Sequence, residues 1–577
     1  MTIEFDPVTF AVVKNAMDSI VDEVAYTVIR TARSEIVKDV MDYSAAICDR
    51  HGQMIAQAKT IALHLGAIPE AMAAVQDRYG SDMKPGDAVV VNDPYQGGMH
   101  LPDIFMFVPF FYRDQLEGYC VVICHHTDVG GRVPGSNASD STEIYQEGLR
   151  IPVLKLYEAG QVNDTLSRII AQNVRVPDRV LGDLKAQYAA NQVGVRELTA
   201  LFDRYGRDAA RMYLGELLDY AERLTRAEIR NWPKGTFHFK DYIDDDGLSP
   251  DPIPIQVALT VHDDHVTADY TGSSPQVRAA INSTLSYTKS CTYLSVRCAL
   301  KGDVPNNAGV FRCIDVRVPE GSVLNPISPA AVAARALTGY RVFDAMLGAL
   351  AQVVSDRIPA AGEGGNTVVC LSGKSDAGKP YIIVDMICGA WGGRPASDGI
   401  EAITNASQNL SNTPVETMES QHPVRVEAYE LVEDSCGAGE YRGGLGIRRS
   451  YRVLAPDTLL QLRADRMKFA PYGLAGGKPA RTAQNLLEHD SSVTELASKV
   501  GITVDRDDLV THVQPGGGGF GDPLARDLDR IRKDVWDHKL SAEYVREHYL
   551  AVVDPHNGEI DIDATAALRG DRVARAA

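Results

Sequence analysis

Positive charge is scarce in this chain. Lys and Arg number 58 against 77 Asp and Glu, a formal net charge of −19 at pH 7, and no basic block interrupts that balance. Nucleic acid and anionic membrane surfaces both demand basic patches, so neither is expected as the main partner. Long apolar runs are missing too. No stretch approaches the roughly 20 residues of a bilayer-spanning helix, and the opening MTIEFDPVTF has neither the basic nor the apolar region of a secretory signal. The nine cysteines (Cys48, Cys120, Cys124, Cys291, Cys298, Cys313, Cys370, Cys388 and Cys436) are odd in number, scattered, and form no C-x-x-C. A disulfide framework or a cysteine-held zinc is therefore not expected, and a reduced cytoplasmic setting is.

Nucleotide and nucleophile motifs are absent as well. LSGKSDAGK (371–379) ends like a P-loop, but the first glycine of that motif would fall at Val368; with apolar strand residues on both sides it reads as a hairpin turn. QPGGGGFGDP (514–523) could present N–H groups to an anion, yet no strand–helix unit follows, and a close-packed loop is expected. DYIDDDG (241–247) lacks the glutamate of a calcium loop, because the twelfth position is Pro252; it reads as a solvated turn. No G-x-S-x-G occurs, and Cys124 lies in an apolar strand where a thiol is inert. His64, in IALHLGAIPE just before a helix, reads as a structural histidine.

What is present is ample material for several cores. At 577 residues with 45% hydrophobic and 23% charged residues, the chain is expected to build roughly three or four domains. Asp6-Pro7 followed by Val8, Val12, Val13, Ala16, Met17, Ile20, Val24 and Val28 predicts a capped amphipathic helix. DYSAAICDRHGQMIAQ predicts a hairpin, IPEAMAAVQDRYG a helix, and KPGDAVVVN, IFMFVPFFY and YCVVICHH three strands. Residues 178–230 are charged and helix-rich, 328–355 is a second helical stretch, and 422–515 is mostly β-like. A polar helical tail begins near Pro523. The expected class is α+β, a large multi-lobed chain with mixed and antiparallel sheets. The boundaries drawn are 1–177 (α+β), 178–232 (helical), 233–360 (α+β), 361–525 (glycine-rich β) and 526–577 (tail).

One loop concentrates chemistry. VNDPYQGGMHLPDI (91–104) sets His100 and Asp103 three residues apart between two strands. A strand ending ICHHTDVGG offers His125, His126 and Asp128, and MDYSAA offers Asp42. Histidine nitrogen and carboxylate oxygen are the ligands of a borderline divalent metal, and all these residues sit at strand edges, where loops from one rim of a sheet converge. The competing account is a set of hydrogen-bonding turns and caps, which H-x-x-D and Asp42 each satisfy alone. Alternation along YCVVICHH sends His125 and His126 to opposite faces, so only one of them can face a shared site.

Several long motifs carry a resemblance. DYSAAICDRHGQMIAQ, PGDAVVVNDPYQGGMHLPDI, HHTDVGG, EIYQEGLRIP, VLGDLKAQYAAN, EAYELVEDSCGAGEYRGGLGIRRSYRV, RADRMKFAPYGLAGG and QPGGGGFGDP, in order from about residue 5 to about 525, resemble the hydantoinase B/oxoprolinase family. That resemblance implies a metal site of Asp42, His100, Asp103 and His125 in the N-terminal region. The chemistry of that donor set suits zinc or manganese, and His126 and Asp128, beside it in the sequence, are the candidates for orienting the ligands or transferring a proton. The resemblance also implies a separate A-type ATPase subunit that uses the ATP and phosphorylates the substrate carbonyl, in a hetero-oligomer expected to be a heterotetramer with two copies of each chain. The activity implied is ATP-dependent opening of a cyclic amide: a lactam, a hydantoin or 5-oxoproline. Two rivals accompany it. One is the large subunit of an ATP-dependent ketone carboxylase of the acetone or acetophenone type, distinguished by a bicarbonate requirement. The other is a scaffold subunit without metal. The sequence departs from the family pattern at Cys436, which stands where glycine is usual.

Overall fold

Asp6 starts the first helix. Its carboxylate accepts the N–H groups of Val8 and Thr9, and Pro7 occupies the first helical turn, as a helix start favours. The helix Pro7–Thr31 turns Val13, Met17, Val21, Val24 and Val28 into the protein and packs along the long helix Pro177–Tyr205. Both rest on a seven-stranded sheet. The computed structural model of the protein describes residues 5–365 and 367–576, with side chains described as far as residue 570.

The large sheet comprises β1 (Tyr43–Asp49), β2 (Met54–Gln57), β3 (Ala88–Val91), β4 (Asp103–Tyr112), β5 (Gln115–His125), β6 (Leu154–Glu158) and β7 (Gln161–Val162). Its spatial order is β2-β1-β5-β4-β3-β6-β7, with every neighbouring pair antiparallel. β4 lies between layers. Phe105 and Phe107 enter one hydrophobic cluster while Ile104, Met106 and Val108 enter another, as side-chain alternation on a doubly covered strand requires.

A mixed sheet follows, ordered β11-β10-β9-β8 from β8 (Gly235–Ile243), β9 (Ile253–Val261), β10 (Val266–Asp269) and β11 (Ile314–Arg317), with β10 and β11 parallel. The helix Arg335–Leu350 packs on β8 and β9 and is buried along its whole length. Two further sheets are antiparallel: β13-β12-β16-β19 and β14-β15-β20-β17-β18. Their strands are β12 (Thr367–Lys374), β13 (Pro380–Ile387), β14 (Val424–Leu431), β15 (Ile447–Val453), β16 (Thr458–Arg463), β17 (Gln484–His489), β18 (Ser492–Glu495), β19 (Lys499–Val504) and β20 (Leu509–Val513). Short helices such as Leu528–Trp536 and Ala542–His548 form the tail. The fold is α+β with mixed and antiparallel sheets, as expected.

The glycine-rich stretches fall as read from the sequence, and one acidic turn does not. The Gly-Lys-Ser motif lies at the turn of the β12–β13 hairpin, whose register runs to Lys374↔Pro380. In 514–523 the N–H groups of Gly517, Gly518 and Gly519 bond to Gly444 O, Ala361 O and Lys478 O, so these donors are committed to backbone and not to an anion. DYIDDDG is not a solvated turn. Asp244 is buried and its carboxylate accepts the N–H groups of Met467, Lys468 and Phe469, pinning a segment more than two hundred residues away. No helix among the described residues is long and apolar enough to cross a membrane.

Candidate metal centre

Three neighbouring strands end together. β1 begins just after Asp42, β4 begins at Asp103, and β5, lying between them, ends at His125. Register pairs Asp103 with His125, and His125 N–H donates to Asp42 O at 3.1 Å. Antiparallel order thus brings all three residues to one rim. Met41, immediately before Asp42, adopts a left-handed φ of 62°, a strained conformation of the kind held at functional sites.

The fourth residue arrives on the loop before β4. Asn92 organises that loop: its Nδ2 donates to Leu101 O and Leu149 O, and its Oδ1 accepts Ile151 N–H. Gly97 has a φ of 91°, and a Cβ there would lie 2.4 Å from Ala71 N, so only glycine lets the loop pass the helix Ile68–Tyr79. The loop closes with Asp103 N–H donating to His100 O.

His100, Asp103 and His125 each offer a ligand atom within 4.8 Å of one another. The His100 and His125 rings stand 5.0 Å apart. His100 Nδ1 lies 3.0 Å from Ala333 O; since a carbonyl only accepts, Nδ1 carries the proton and Nε2 presents a lone pair to the cluster. His100 Nε2 and Asp103 Oδ1 are 3.2 Å apart, yet the contact is off-axis and neither atom has a hydrogen bond of sound geometry. Asp42 Oδ1 and His125 Nδ1 are likewise buried without a hydrogen-bond partner. Buried polar atoms are nearly always bonded, so the unpartnered atoms of His100, Asp103 and His125 form a donor set that fits one divalent ion; Asp42 lies at the same rim but its carboxylate is not within that three-residue group.

Electrostatics agree with that fit. Burial pushes the His100 imidazole down to about 4, helped by Arg335, and drives His125 well below its ordinary range, helped by His100. Both are therefore neutral ligands at physiological pH. Burial opposes the Asp103 carboxylate, but the Arg335 guanidinium beside it holds it well below the usual range. Burial, then the Asp103 charge, pushes Asp42 well up; a cation between the two would relieve that repulsion.

The other sequence candidates have different partners. The His126 ring faces the long helix, with Nε2 3.2 Å from Gln187 Oε1. Asp128 is committed to its own loop, accepting from Gly130 N, Gly135 N, Arg175 N and Arg175 Nη1. Neither joins the cluster. Four residues that sequence reasoning did not place there do approach it. His64 sets Nε2 3.6 Å from Asp42 Oδ1 and Nδ1 3.2 Å from Ser44 Oγ, and burial lowers it to about 4. Arg335 donates to Asp103 Oδ2 at 2.5 Å. Arg463 donates to Ala333 O, and Glu147 Oε1 accepts Val332 N–H and Ala333 N–H. His64 had a local signal, lying shortly after the β1–β2 hairpin, and Glu147 follows the turn Ile144–Gln146 soon after β5; Arg335 and Arg463 come from segments far along the chain.

Comparison with known proteins is decisive about kinship. The profile of the hydantoinase B/oxoprolinase family matches residues 6–523. The chain belongs to the hydantoinase B/oxoprolinase family. Among family relatives, the beta subunit of the Pseudomonas jessenii caprolactamase is 34% identical over 580 residues, covering 98% of this chain and 99% of that one. A protein of Pseudomonas sp. (strain NS671), provisionally named as the B subunit of a D-/L-hydantoinase, is 32% identical over 586 residues, covering 98% of each chain. The crystal structure of the ATP-dependent caprolactamase from Pseudomonas jessenii superposes with a TM-score of 0.92 at 31% identity, covering 98% of this chain and all of that one. A nucleotide-free acetone carboxylase structure also reaches a TM-score of 0.92, at 18% identity over 99% of this chain and 84% of that one; it shares the fold.

Proposed function

We propose that this chain is the metal-dependent subunit of an ATP-dependent cyclic amide hydrolase, acting on a carbonyl-phosphorylated lactam, hydantoin or 5-oxoproline made by an A-type ATPase partner. The observation that carries this reading is the convergence of His100, Asp103 and His125 with Asp42 at one rim of the sheet, in a family whose relatives bear the names caprolactamase and hydantoinase. Those relatives are named as subunits, which supports a partner chain here, and we assign two copies of each. Asp42, His100, Asp103 and His125 are the proposed ligands, for zinc or manganese.

Amide resonance makes the carbonyl a poor electrophile and the nitrogen a poor leaving group. Phosphorylation of the oxygen removes that protection, after which two waters enter, the ring C–N bond breaks, and amine, carboxylate and inorganic phosphate leave. A divalent ion would supply Lewis acidity and a nucleophile from water at neutral pH. The chain's own residues set the geometry: Ala333 O orients His100 through Nδ1, Arg335 holds Asp103 through Oδ2, and His64 flanks Asp42. Burial of all four ligands, none more than 4% exposed, keeps bulk water from the activated carbon.

The test is coupled turnover. The purified chain with its ATPase partner is assayed for ATP consumption and ring opening across lactams, hydantoins and 5-oxoproline. ATP use matched to ring opening of one class is the expected result. No turnover with any of them rejects the reading, and ATP use that requires bicarbonate and a ketone replaces it with carboxylation.

A further inference from the structure

The buried surroundings of Asp103 hold a positive charge, that of Arg335, beyond that of the proposed ion. Arg335 is 4% exposed; its guanidinium lies 4.5 Å from the centroid of the Tyr287 ring, and its Nη2 is spent on Asp103. Its Nε is buried with no hydrogen-bond partner. Arg463, at the end of β16, is 5% exposed and donates Nη1 to Asn137 Oδ1 and Ala333 O, both at 3.1 Å. Ala333 O is also the acceptor of His100 Nδ1. Arg463 and His100 therefore flank one carbonyl, while Arg335 and His100 flank one carboxylate.

Asp42 and Asp103 can balance a divalent ion, or Asp103 can balance Arg335, but the same charge cannot do both. A buried guanidinium persists only with a counter-charge or a full set of acceptors. Glu147 does not supply the deficit: it is turned to the N–H groups of Val332 and Ala333, and burial raises its carboxyl to about 8. An anionic ligand would supply it. The planar fork of arginine suits phosphoryl oxygens, and Arg335 Nε–H is an uncommitted donor.

We propose that Arg335 and Arg463 form an oxyanion subsite beside the metal ligands, which receives the phosphoryl group of the activated amide. The assignment rests on the ATP-dependent reading above. No bond changes at this subsite; it binds the phosphoryl group and holds it while the neighbouring carbon is attacked.

The experiment is calorimetric binding of inorganic phosphate to the full chain loaded with zinc, with bicarbonate as the comparison anion and metal content measured throughout. Arg463→Met leaves the Arg335–Asp103 pair in place, Arg335→Met removes the uncommitted donor, and Arg448→Met, an exposed site paired with Glu430, is the control. Loss of one charge-assisted contact weakens binding by about tenfold or more. The expected result is that loss in Arg463→Met at unchanged metal content, at least as much in Arg335→Met, and binding within about twofold of the parent in Arg448→Met. Should Arg335→Met fold poorly or lose metal, Arg463→Met and Arg463→Lys decide alone. Phosphate binding that is absent from the parent, unaltered in Arg463→Met, or replaced by bicarbonate overturns the subsite. Coupled ring opening with any of these results leaves the proposed function intact and removes only the subsite. Arginine-dependent phosphate binding without ATP-coupled turnover does the reverse.

Discussion

Asp103 faces two demands at once, with Oδ2 on Arg335 and Oδ1 turned to His100. Asp103→Asn keeps its shape and removes its charge. The expected outcome is bound metal reduced to less than about a tenth, together with a stability loss of about 3–5 kcal/mol from leaving Arg335 buried without its carboxylate. Elemental analysis and urea denaturation measure the two; metal content near the parent's would refute the ligand assignment. Glu147 behaves in the opposite sense. Its folded pKa, about 8, lies above the unfolded value of about 4.3, so the folded state holds the proton more tightly. Its favourable contribution is complete below the unfolded pKa, declines as pH rises through the window between the two values, and is gone above the folded one. Glu147→Gln removes that slope, so its urea midpoint should gain on the parent's steadily from about pH 5 to about pH 8 and then level off. A constant difference across that range would count against a buried, protonated Glu147. At this scale the sequence is legible where the proposed ligands are close together: His100 and Asp103 share one loop, and alternation separates His125 from His126. Arg335 is not legible, because its partner Asp103 lies 232 positions away and nothing local to an arginine at a helix start announces a contact at that distance.

The loop 92–102 is an element in its own right, and its shape depends on Gly97. Gly97→Ala would combine a left-handed φ with a Cβ forced into the backbone at Ala71. The cost should exceed about 1 kcal/mol, with metal affinity falling as His100 is displaced; unchanged affinity would mean the loop tolerates another path. The opposite side of the sheet has its own tether. Gln187 donates to Ile104 O on β4 and Val122 O on β5 and meets His126, so the second histidine of the HHTD motif joins a tether between the helix Pro177–Tyr205 and the strands that carry Asp103 and His125. Helices and strands with strong periodicity are readable for a plain reason: burying one face leaves its period in the sequence. DYIDDDG is not, because an acidic turn looks solvated until a distant segment supplies donors to Asp244.

Across the whole molecule, a buried ionic cluster joins three regions. Arg466 bonds to Asp241 on β8 and to Asp344 on the helix Arg335–Leu350, and Arg341 on that helix bonds to Asp465. The same helix begins with Arg335, so the cluster anchors the element that supports Asp103. Arg466→Met leaves Asp241 and Asp344 short of a cation, and a loss of about 3–5 kcal/mol is expected in urea denaturation. A change below about 1 kcal/mol would show that the cluster adds little to cohesion between regions.

Sequence alone determined the elements, the α+β class and the family, because apolar periodicity, caps and long ordered motifs are local properties of the chain. It also put His100 and Asp103 on one loop and left one of two adjacent histidines to join them. Tertiary structure decided the rest. The order of β1, β5 and β4 brings Asp42, His125 and Asp103 to a single rim, and burial there sets which groups are neutral and which are charged. The arrival of Arg335, Arg463 and His64 around them is a matter of packing between segments far apart in the chain, which no local pattern encodes.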